Sequence, residues 1–251
     1  MAGIFKRVEK KYLLTQAQRK KLMEKLGDRI KEDTYGKYTI SNIYFDTTDN
    51  KLIRESLDKP VYKEKLRLRA YGTPKDTDKV FLEMKKKWKG VVYKRRVEFP
   101  YRTAQAYLEE GVYPEEHDCQ ILKEIDYMIK YHGLKPDTFL AYDRRAYVLK
   151  EDDNIRFTID ERIRSRKDEL KLSAGDRGKL LLDEGTSLLE IKAPAALPLW
   201  FTQILSELEI FSTSFSKYGR VYQEGLKKTC SSQSAPILMP AGEPVLVTLT
   251  S

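Results

Sequence analysis

The sequence predicts an α+β protein in which about eight antiparallel strands close into a barrel, with helices packed outside it. Three observations support this class. Segments rich in β-branched and aromatic residues recur along the chain, short turn signals join several of them, and the charged residues of each segment keep to alternate positions. Because successive side chains of a strand point to opposite faces, each strand is expected to have one charged and one apolar face.

The first half of the chain begins with a strand over residues 4 to 14. Thr15 then caps an amphipathic helix that runs to about Leu26, and Gly27 ends it. A strand over 38 to 46 and a short helix over 47 to 58 come next. Four further strands are predicted over 61 to 71, 79 to 87, 91 to 99 and 139 to 149, with turns at 72 to 78 and 89 to 90.

A helical insertion over about 103 to 132 precedes the last of these strands. Its apolar residues repeat at helical spacing, and Gly133 ends the pattern. Strands resume at 154 to 164 and 186 to 193, and the charged segment 165 to 179 between them is a hairpin end or a mobile loop.

Helices over 197 to 209 and 216 to 228 close the fold, so residues 1–228 are expected to form a single domain. Residues 229–251 change to small and apolar residues with prolines. They are expected to be a disordered tail or an added edge strand.

The charged positions of the strands share one parity. They are Arg7, Glu9 and Lys11; Lys63, Lys65, Arg67 and Arg69; Glu83, Lys85 and Lys87; Lys94, Arg96 and Glu98; Arg144; Arg156, Thr158 and Asp160; and Glu190 and Lys192. The opposite parity is mostly apolar: Val8, Leu66, Leu68, Leu82, Met84, Val97, Phe157, Ile159, Leu189 and Ile191. A flat face with so many cations would repel itself, whereas a barrel whose interior is basic would hold a polyanion.

The overall composition also favours an anionic partner. Lys and Arg number 47 against 38 Asp and Glu, which gives a net charge of +9. The two cysteines have no disulfide or zinc spacing, and no segment is apolar enough for a signal peptide or a membrane span, so a cytoplasmic protein is expected. The sequence leaves the oligomeric state open.

A chain of phosphates suits this predicted interior best. Arg side chains bind phosphate oxygens bidentately and Lys side chains add point charges, both without reading a base sequence. A nucleic-acid duplex is too wide for a small barrel, and the tyrosines are interpreted as lying outside the charged parity, which argues against a single strand. The carboxylates are counter-charges for the cations or ligands of a hard divalent cation.

Eight motifs in order make the chain resemble a known family. RVEKKYLL, KLRLR, FLEMKKK, YKRRVEF, AYDRRAY, IRFTID, LLEIK and FSKY, within residues 5 to 227, are similar to the polyphosphate polymerase (VTC) domain family of the triphosphate tunnel metalloenzymes. The resemblance implies a tunnel-shaped barrel that transfers the γ-phosphate of ATP to growing polyphosphate with Mn²⁺ or Mg²⁺. The chain resembles the stand-alone bacterial type.

The resemblance also implies the site residues. Arg67, Arg69, Arg144, Arg156 and Lys217 would grip phosphates at the reaction centre, and Glu190 would hold the metal. The other substrate-binding residues would be Lys11, Lys65, Lys85, Lys94, Arg96 and Ser216. For four of the lysines, an ordinary solvated position on the surface is as well supported as a role in binding phosphate: Lys63, Lys65, Lys87 and Lys192.

The first strand departs from the pattern of many tunnel enzymes. They begin with ExExK, whereas this chain reads Arg7, Glu9, Lys11 and so lacks one carboxylate. The loss favours a single-metal site and transfer over hydrolysis, without excluding hydrolysis of triphosphates. Three functions are therefore possible from the sequence: synthesis of polyphosphate, hydrolysis of triphosphates, and binding of polyphosphate without turnover.

Overall fold

The computed structural model describes residues 8–232, with side chains as far as residue 227. Arg7 and most of the predicted C-terminal tail therefore lie outside the described residues. The strands are β1 Val8–Leu14, β2 Ile30–Glu32, β3 Tyr38–Asp46, β4 Tyr62–Tyr71, β5 Lys79–Trp88, β6 Val91–Pro100, β7 Lys135–Leu149, β8 Arg156–Arg166, β9 Lys179–Leu180, β10 Ser187–Ala193 and β11 Ser212–Thr213. The α-helices are α1 Gln16–Leu26, α2 Lys51–Leu57, α3 Tyr101–Glu110, α4 Gln120–His132, α5 Leu199–Glu207 and α6 Lys217–Ser232.

Local sequence explains where the helices begin and end. The Thr15 hydroxyl accepts a hydrogen bond from the Gln18 backbone, and the Gln18 side chain accepts one from the Thr15 backbone. This reciprocal pair satisfies two backbone N–H groups that the first turn of α1 would otherwise leave without partners. Gly133 ends α4 in the left-handed region, with φ of 62°, which costs glycine little.

All strands belong to one antiparallel sheet with the order β11, β1, β10, β8, β7, β3, β4, β5, β6, while β2 pairs with β7 and β9 with β8. Within residues 8–232 no ladder joins β6 to β1 or β11, so the predicted closed barrel is wrong: the sheet is open. The predicted count of about eight strands is also too low, because three strands of two or three residues, β2, β9 and β11, are too short to show a pattern.

The open sheet is nevertheless strongly curled. β5 is six places from β1 in the strand order, which is roughly 29 Å in a flat sheet. Burial lowers the pKa of Lys85 on β5 most. Residues of distant strands also act on it: Glu9 of β1 and Glu190 of β10 raise the pKa, and Lys11 of β1 lowers it. Contacts show the same curl: Lys11 of β1 donates to the carbonyl of Phe215, and Tyr218, three residues further along the chain, stacks on Tyr44 of β3, so β1 curves back toward the other half of the sheet. We call the side that they share the inner face.

The outer face carries two apolar cores, as the strand parity predicts. One core packs β3 to β6 against α3 and α4 and includes Leu66, Leu82 and Ile125. The other packs β1, β7, β8 and β10 against α1 and α5 and includes Phe157 and Phe201. The apolar parity residues named above are buried in these cores, except Val8, which is exposed.

A third apolar cluster fills one part of the inner face. It joins Tyr44, Tyr142 and Leu188 of the sheet to Ile53 of α2 and to Tyr218 of α6. The ring of Tyr218 stacks on that of Tyr44 with 4.6 Å between centroids. The start of α6 therefore lies inside the curled sheet, beside the charged residues of the inner face.

Most predicted elements are confirmed within one to four residues, including the helical insertion, which consists of α3 and α4. The segment 165 to 179 is ordered against the sheet, because the buried Arg166 guanidinium donates to the carbonyls of Glu169, Lys171, Gly175 and Arg177. Within the described helices, none is both apolar and long enough to cross a membrane.

Candidate functional site

The inner face carries a large excess of positive charge. Among the described residues, cross-strand register and contacts place at least ten cations and four carboxylates there. We call this set the charged inner face: Lys11, Lys65, Arg67, Arg69, Lys85, Lys94, Arg96, Arg144, Lys192 and Lys217, with Glu9, Glu83, Asp160 and Glu190. Apart from Arg156 and Ser216, it contains every site residue that the sequence predicts.

Glu83 on β5 organises the cations of β4 and β6. Its carboxylate accepts from the Nε of Arg67 at 2.8 Å, and its Oε1 lies 2.6 Å from the Nζ of Lys94. Burial would raise the pKa of Glu83, but Arg67, Arg69 and Lys94 outweigh burial and hold the pKa at about 2. Glu83 is therefore ionised at neutral pH and fixes these guanidinium and ammonium groups in place.

Asp160 on β8 organises a second group of cations. Arg144 binds it bidentately, from Nε to Oδ1 at 2.6 Å and from Nη2 to Oδ2 at 2.8 Å, and the Nζ of Lys217 lies 2.6 Å from Oδ2. Asp160 is fully buried. Burial would raise its pKa, but Lys217 and Arg144 together lower it. One buried carboxylate thus orients two cations toward the interior.

Glu190 on β10 lies directly opposite Lys11 of the first strand. Its Oε1 lies 2.8 Å from the Nζ of Lys192 and its Oε2 lies 3.9 Å from the Nζ of Lys11, which also lies 3.3 Å from Glu9. Burial would raise the pKa of Glu190, but Lys192, Lys11 and Lys217 hold it at about 2. Glu190 is therefore an ionised ligand or counter-charge at neutral pH.

Lys65 and Lys85 face each other across β4 and β5 and have no carboxylate partner within 4.0 Å among the described residues. Burial, together with Lys63, Lys85 and Lys11, lowers the pKa of Lys65 to about 8 although Tyr44 opposes the change. The same cations act on Tyr44: burial would raise its pKa, but Arg67, Lys65 and Arg69 lower it to about 8. This part of the inner face has an unbalanced positive potential.

The start of α6 adds further groups to the inner face. The hydroxyl of Ser216 accepts from the Gly219 backbone at 3.1 Å and so caps the helix, and Lys217 follows it. The Nζ of Lys217 also lies 4.5 Å from the centre of the Tyr142 ring. Lys11 donates to the carbonyl of Phe215 at 3.1 Å. Ser216 therefore lies beside the charged inner face, at the positive end of a helix dipole.

Arg156 and Arg96 lie toward the margins of the site. The Arg156 side chain is exposed and donates to the Asp153 carbonyl at 3.1 Å. The Arg96 guanidinium is exposed and lies 4.8 Å over the ring of Phe81. Arg96 lies directly opposite Glu83 in the register of β5 and β6, and Arg156 lies directly opposite Lys192 in the register of β8 and β10.

The structure adds aromatic and amide groups that sequence reasoning missed. Tyr44 accepts from Arg67 at 3.2 Å, while Arg69 donates to Asn42 at 3.0 Å and to Tyr142 at 3.4 Å. The interpretation that tyrosines lie outside the charged parity is wrong, because Tyr44 pairs with Arg67 in register. The signal was present in the strand YTISNIYFD, where alternate positions read Tyr38, Ile40, Asn42 and Tyr44.

That correction removes one reason against single-stranded nucleic acid, and the open sheet removes the closed barrel that the argument from duplex width assumed. The absence of a nucleic-acid partner stays a prediction. Tyr142 and Tyr218 also line the inner face. Tyr93 pairs with Lys86 on the outer face.

The residues offer limited ligation for a metal ion. Among residues 8–232 no three carboxylate, histidine or cysteine side chains converge as a ligand group. Glu190 and Glu9 both lie near Lys11, and the buried hydroxyl of Thr158, directly opposite Glu190, has no hydrogen-bond partner in the described structure. This donor set fits a Mg²⁺-like ion that takes one or two carboxylates and completes its shell with water and phosphate oxygens.

The curled sheet of the described residues carries more cations than carboxylates on its inner face. Comparison with known families shows which one this is. The model of the VTC domain matches residues 6–224, so the chain belongs to the VTC domain family. A comparison with curated protein sequences gave no match.

Solved structures share the fold at low sequence identity. A proposed adenylate cyclase of Bacillus halodurans is 16% identical, with a TM-score of 0.54 over 84% of this chain and 93% of that chain. The Hippeastrum protein HpAC1, a proposed adenylyl cyclase with a dominant triphosphatase activity, is 16% identical, with a TM-score of 0.52 over 87% and 96%. The family match and these folds support assignment to the triphosphate tunnel group.

Proposed function

We propose that the charged inner face binds a linear chain of phosphates and that the protein transfers the γ-phosphoryl group of ATP to growing polyphosphate. The observation that carries the proposal is the pair Lys65 and Lys85, which lie together on the inner face without a carboxylate partner in the described structure. Mutual repulsion of neighbouring cations destabilises the fold, and a polyanion relieves that repulsion.

The paired cations are suited to holding phosphates in one geometry. Glu83 fixes Arg67, and Asp160 fixes Arg144 and Lys217, so these donors are oriented before the ligand binds. Preorganised donors lose little freedom on binding and stabilise the charge of the transferred group. Arg69, held by Asn42, has the same role on β4.

The transfer needs no nucleophile from the protein. A terminal phosphate oxygen of the acceptor chain attacks the γ-phosphorus of ATP, the bond from that phosphorus to the β,γ-bridging oxygen breaks, and ADP leaves with the electron pair. The attacking oxygen is already ionised, so no strong base is required. The contribution of Arg67, Arg69, Arg144 and Lys217 is to align the two chains and to neutralise charge.

Glu190 is the residue proposed to hold a divalent cation, with Glu9 and Thr158 beside it. Mn²⁺ or Mg²⁺ would supply further neutralisation of charge at the phosphate oxygens. Glu190→Gln is expected to weaken metal binding and so to raise the half-saturating Mn²⁺ concentration about tenfold, while metal-free binding of tripolyphosphate is kept. Unchanged metal dependence would remove Glu190 from this role.

Hydrolysis of triphosphates at the same face is the second candidate. It is favoured by the fold shared with HpAC1, whose dominant activity is that of a triphosphatase. A module that binds polyphosphate without turnover would use the same cations and lack only the chemical step.

One experiment separates the three functions. The protein is incubated with ATP and Mn²⁺, and products are resolved on a polyphosphate gel, with Arg67→Ala beside it and Arg95→Ala as a matched control. Arg95 is an exposed arginine on the outer face of β6 that pairs with Glu124. Long chains from the wild type and Arg95→Ala, and none from Arg67→Ala, support the proposal.

Free phosphate without chains would indicate hydrolysis instead. Binding of tripolyphosphate with no product under any metal would indicate a binding module. Equal loss of chain synthesis in both arginine variants would contradict the assignment of Arg67 to the site.

A further inference from the structure

Four aromatic rings form a continuous series at one end of the inner face. Tyr35 contacts Tyr38 edge-to-face with 6.2 Å between centroids, Tyr38 contacts Tyr71 at 5.8 Å, and Tyr71 contacts Phe81 at 5.8 Å. The last three rings stand at the start of β3, the end of β4 and the start of β5. We call these four residues the aromatic ladder.

The aromatic ladder adjoins the arginines of the charged inner face. Tyr38 lies directly opposite Arg144 in the register of β3 and β7, and Phe81 lies directly opposite Arg69 in the register of β4 and β5. Directly opposite residues have Cβ atoms about 4.5 to 5.5 Å apart and share a face. A ligand whose phosphates contact Arg69 and Arg144 would therefore extend its other end over these rings.

Sheet stabilisation alone does not explain the exposure of the ladder. Aromatic cross-strand pairs stabilise sheets by burying their rings against each other. Here Tyr71 is 53% exposed and Tyr35 is 77% exposed, beside a face that is otherwise charged. The exposed π-faces of Tyr35 and Tyr71, next to the arginines of the charged inner face, have the chemistry of a nucleobase site, because every base can stack on an aromatic ring. The ring of Phe81 at the end of the ladder is already covered by the Arg96 guanidinium.

We propose that the aromatic ladder binds the base of a nucleoside triphosphate whose phosphates lie on the charged inner face. This inference rests on the proposed function and adds to it which residues of this chain hold the base of the nucleotide donor. Stacking reads the π-face and no base edge, so ATP and GTP are expected to bind with similar affinity.

The test compares ligands with and without a base. Tyr71→Leu and Tyr35→Leu remove a ring and keep apolar bulk, and Tyr93→Leu is the control, since Tyr93 is 48% exposed on the outer face. Affinities for ATP and for tripolyphosphate are measured by calorimetry without metal, so that no turnover occurs.

The ladder variants are expected to lose about tenfold in affinity for ATP and less than about twofold for tripolyphosphate. Tyr93→Leu is expected to change neither. Equal losses for both ligands, or an unchanged affinity for ATP, would overturn the inference and leave phosphate binding intact. A wild-type protein that binds neither ligand would overturn the proposed function as well.

Discussion

Lys65 projects from β4 into the curled sheet, where its Nζ lies 5.9 Å from the centre of the Tyr218 ring. Burial and the neighbouring lysines disfavour its charged form, which is why its pKa falls to about 8. An unfolded chain would relieve both costs, because its lysines are solvated and far apart. The charged Lys65 therefore destabilises the fold when no anion is bound.

Replacing Lys65 is accordingly expected to stabilise the free protein. Lys65→Met keeps the length of the side chain and removes its charge, so we expect the free energy of unfolding at pH 7 to rise by about 1 kcal/mol or more. Thermal and denaturant unfolding measure this change. Lys20→Met, at an exposed position of α1, is the control and should change stability little.

A second consequence of the low pKa concerns ligand binding. A bound polyphosphate favours the charged form of Lys65 and raises its pKa, so binding above about pH 8 must be accompanied by proton uptake. The affinity for tripolyphosphate should then fall as pH rises through 8, and Lys65 should add no pH dependence below about 7.

Calorimetry across pH 6.5 to 9.5 measures the affinity for tripolyphosphate as a function of pH. Lys65→Met is the control, because the ionisation of tripolyphosphate affects the wild type and the variant equally. The wild-type slope should exceed the variant slope by up to about one logarithmic unit per pH unit. Parallel profiles would show that Lys65 does not titrate with binding.

At the scale of elements, the start of α6 packs against α2 on one side and contributes Lys217 to the charged inner face on the other. Gly219 lies in the first turn of α6, and a Cβ there would stand 2.9 Å from the Cδ2 of Leu57 and 3.1 Å from the hydroxyl of Ser216. Glycine at this position lets the start of the helix approach α2 and keeps the Ser216 cap. This approach places Lys217 against Asp160.

Gly219→Ala and Gly225→Ala form a matched pair for testing this packing. A Cβ at Gly225 meets nothing within 4 Å, so alanine there should stabilise the helix by its higher propensity. Gly219→Ala should be less stable than Gly225→Ala by about 1 kcal/mol or more, with weaker binding of tripolyphosphate. Equal stability of the two variants would show that α6 does not depend on this close approach.

The element boundaries were the part of the structure most open to prediction from sequence. Thr15 and Gly133 mark helix ends by local hydrogen bonding and backbone conformation, which depend on a few neighbouring residues. Alternation in β4 and β5 likewise identifies the inner side chains, since parity is a local property. Strands of two or three residues carry no such period and were missed.

At the scale of the whole molecule, closure of the sheet could not be predicted. The alternation of β6 is the same whether its free edge is paired or open, and pairing depends on strands far away in sequence. Its exposed Lys94, Arg95 and Arg96 are the kind of residues that keep an edge strand from pairing. The curl of the sheet still brings β5 near β1 and β10, so the expected basic interior forms without a closed barrel.

The partners of the cations were also beyond sequence reasoning. The parity identified Arg67 and Arg144, but it did not show that Glu83 and Asp160 hold them or that Lys65 and Lys85 lack such partners in the described structure. These distinctions depend on rotamers and on the third dimension of the sheet. They decide which cations are oriented and which repel each other.

The measurement that tests the central claim most directly is the affinity for tripolyphosphate of two double variants with the same change in net charge. Lys65→Met with Lys85→Met removes charge from the inner face, while Lys20→Met with Lys31→Met removes it from exposed positions of α1 and β2. We expect the inner pair to weaken binding by about tenfold or more and the outer pair by less than about twofold. Equal losses in the two double variants, or no loss in the inner pair, would contradict a phosphate site inside the curled sheet.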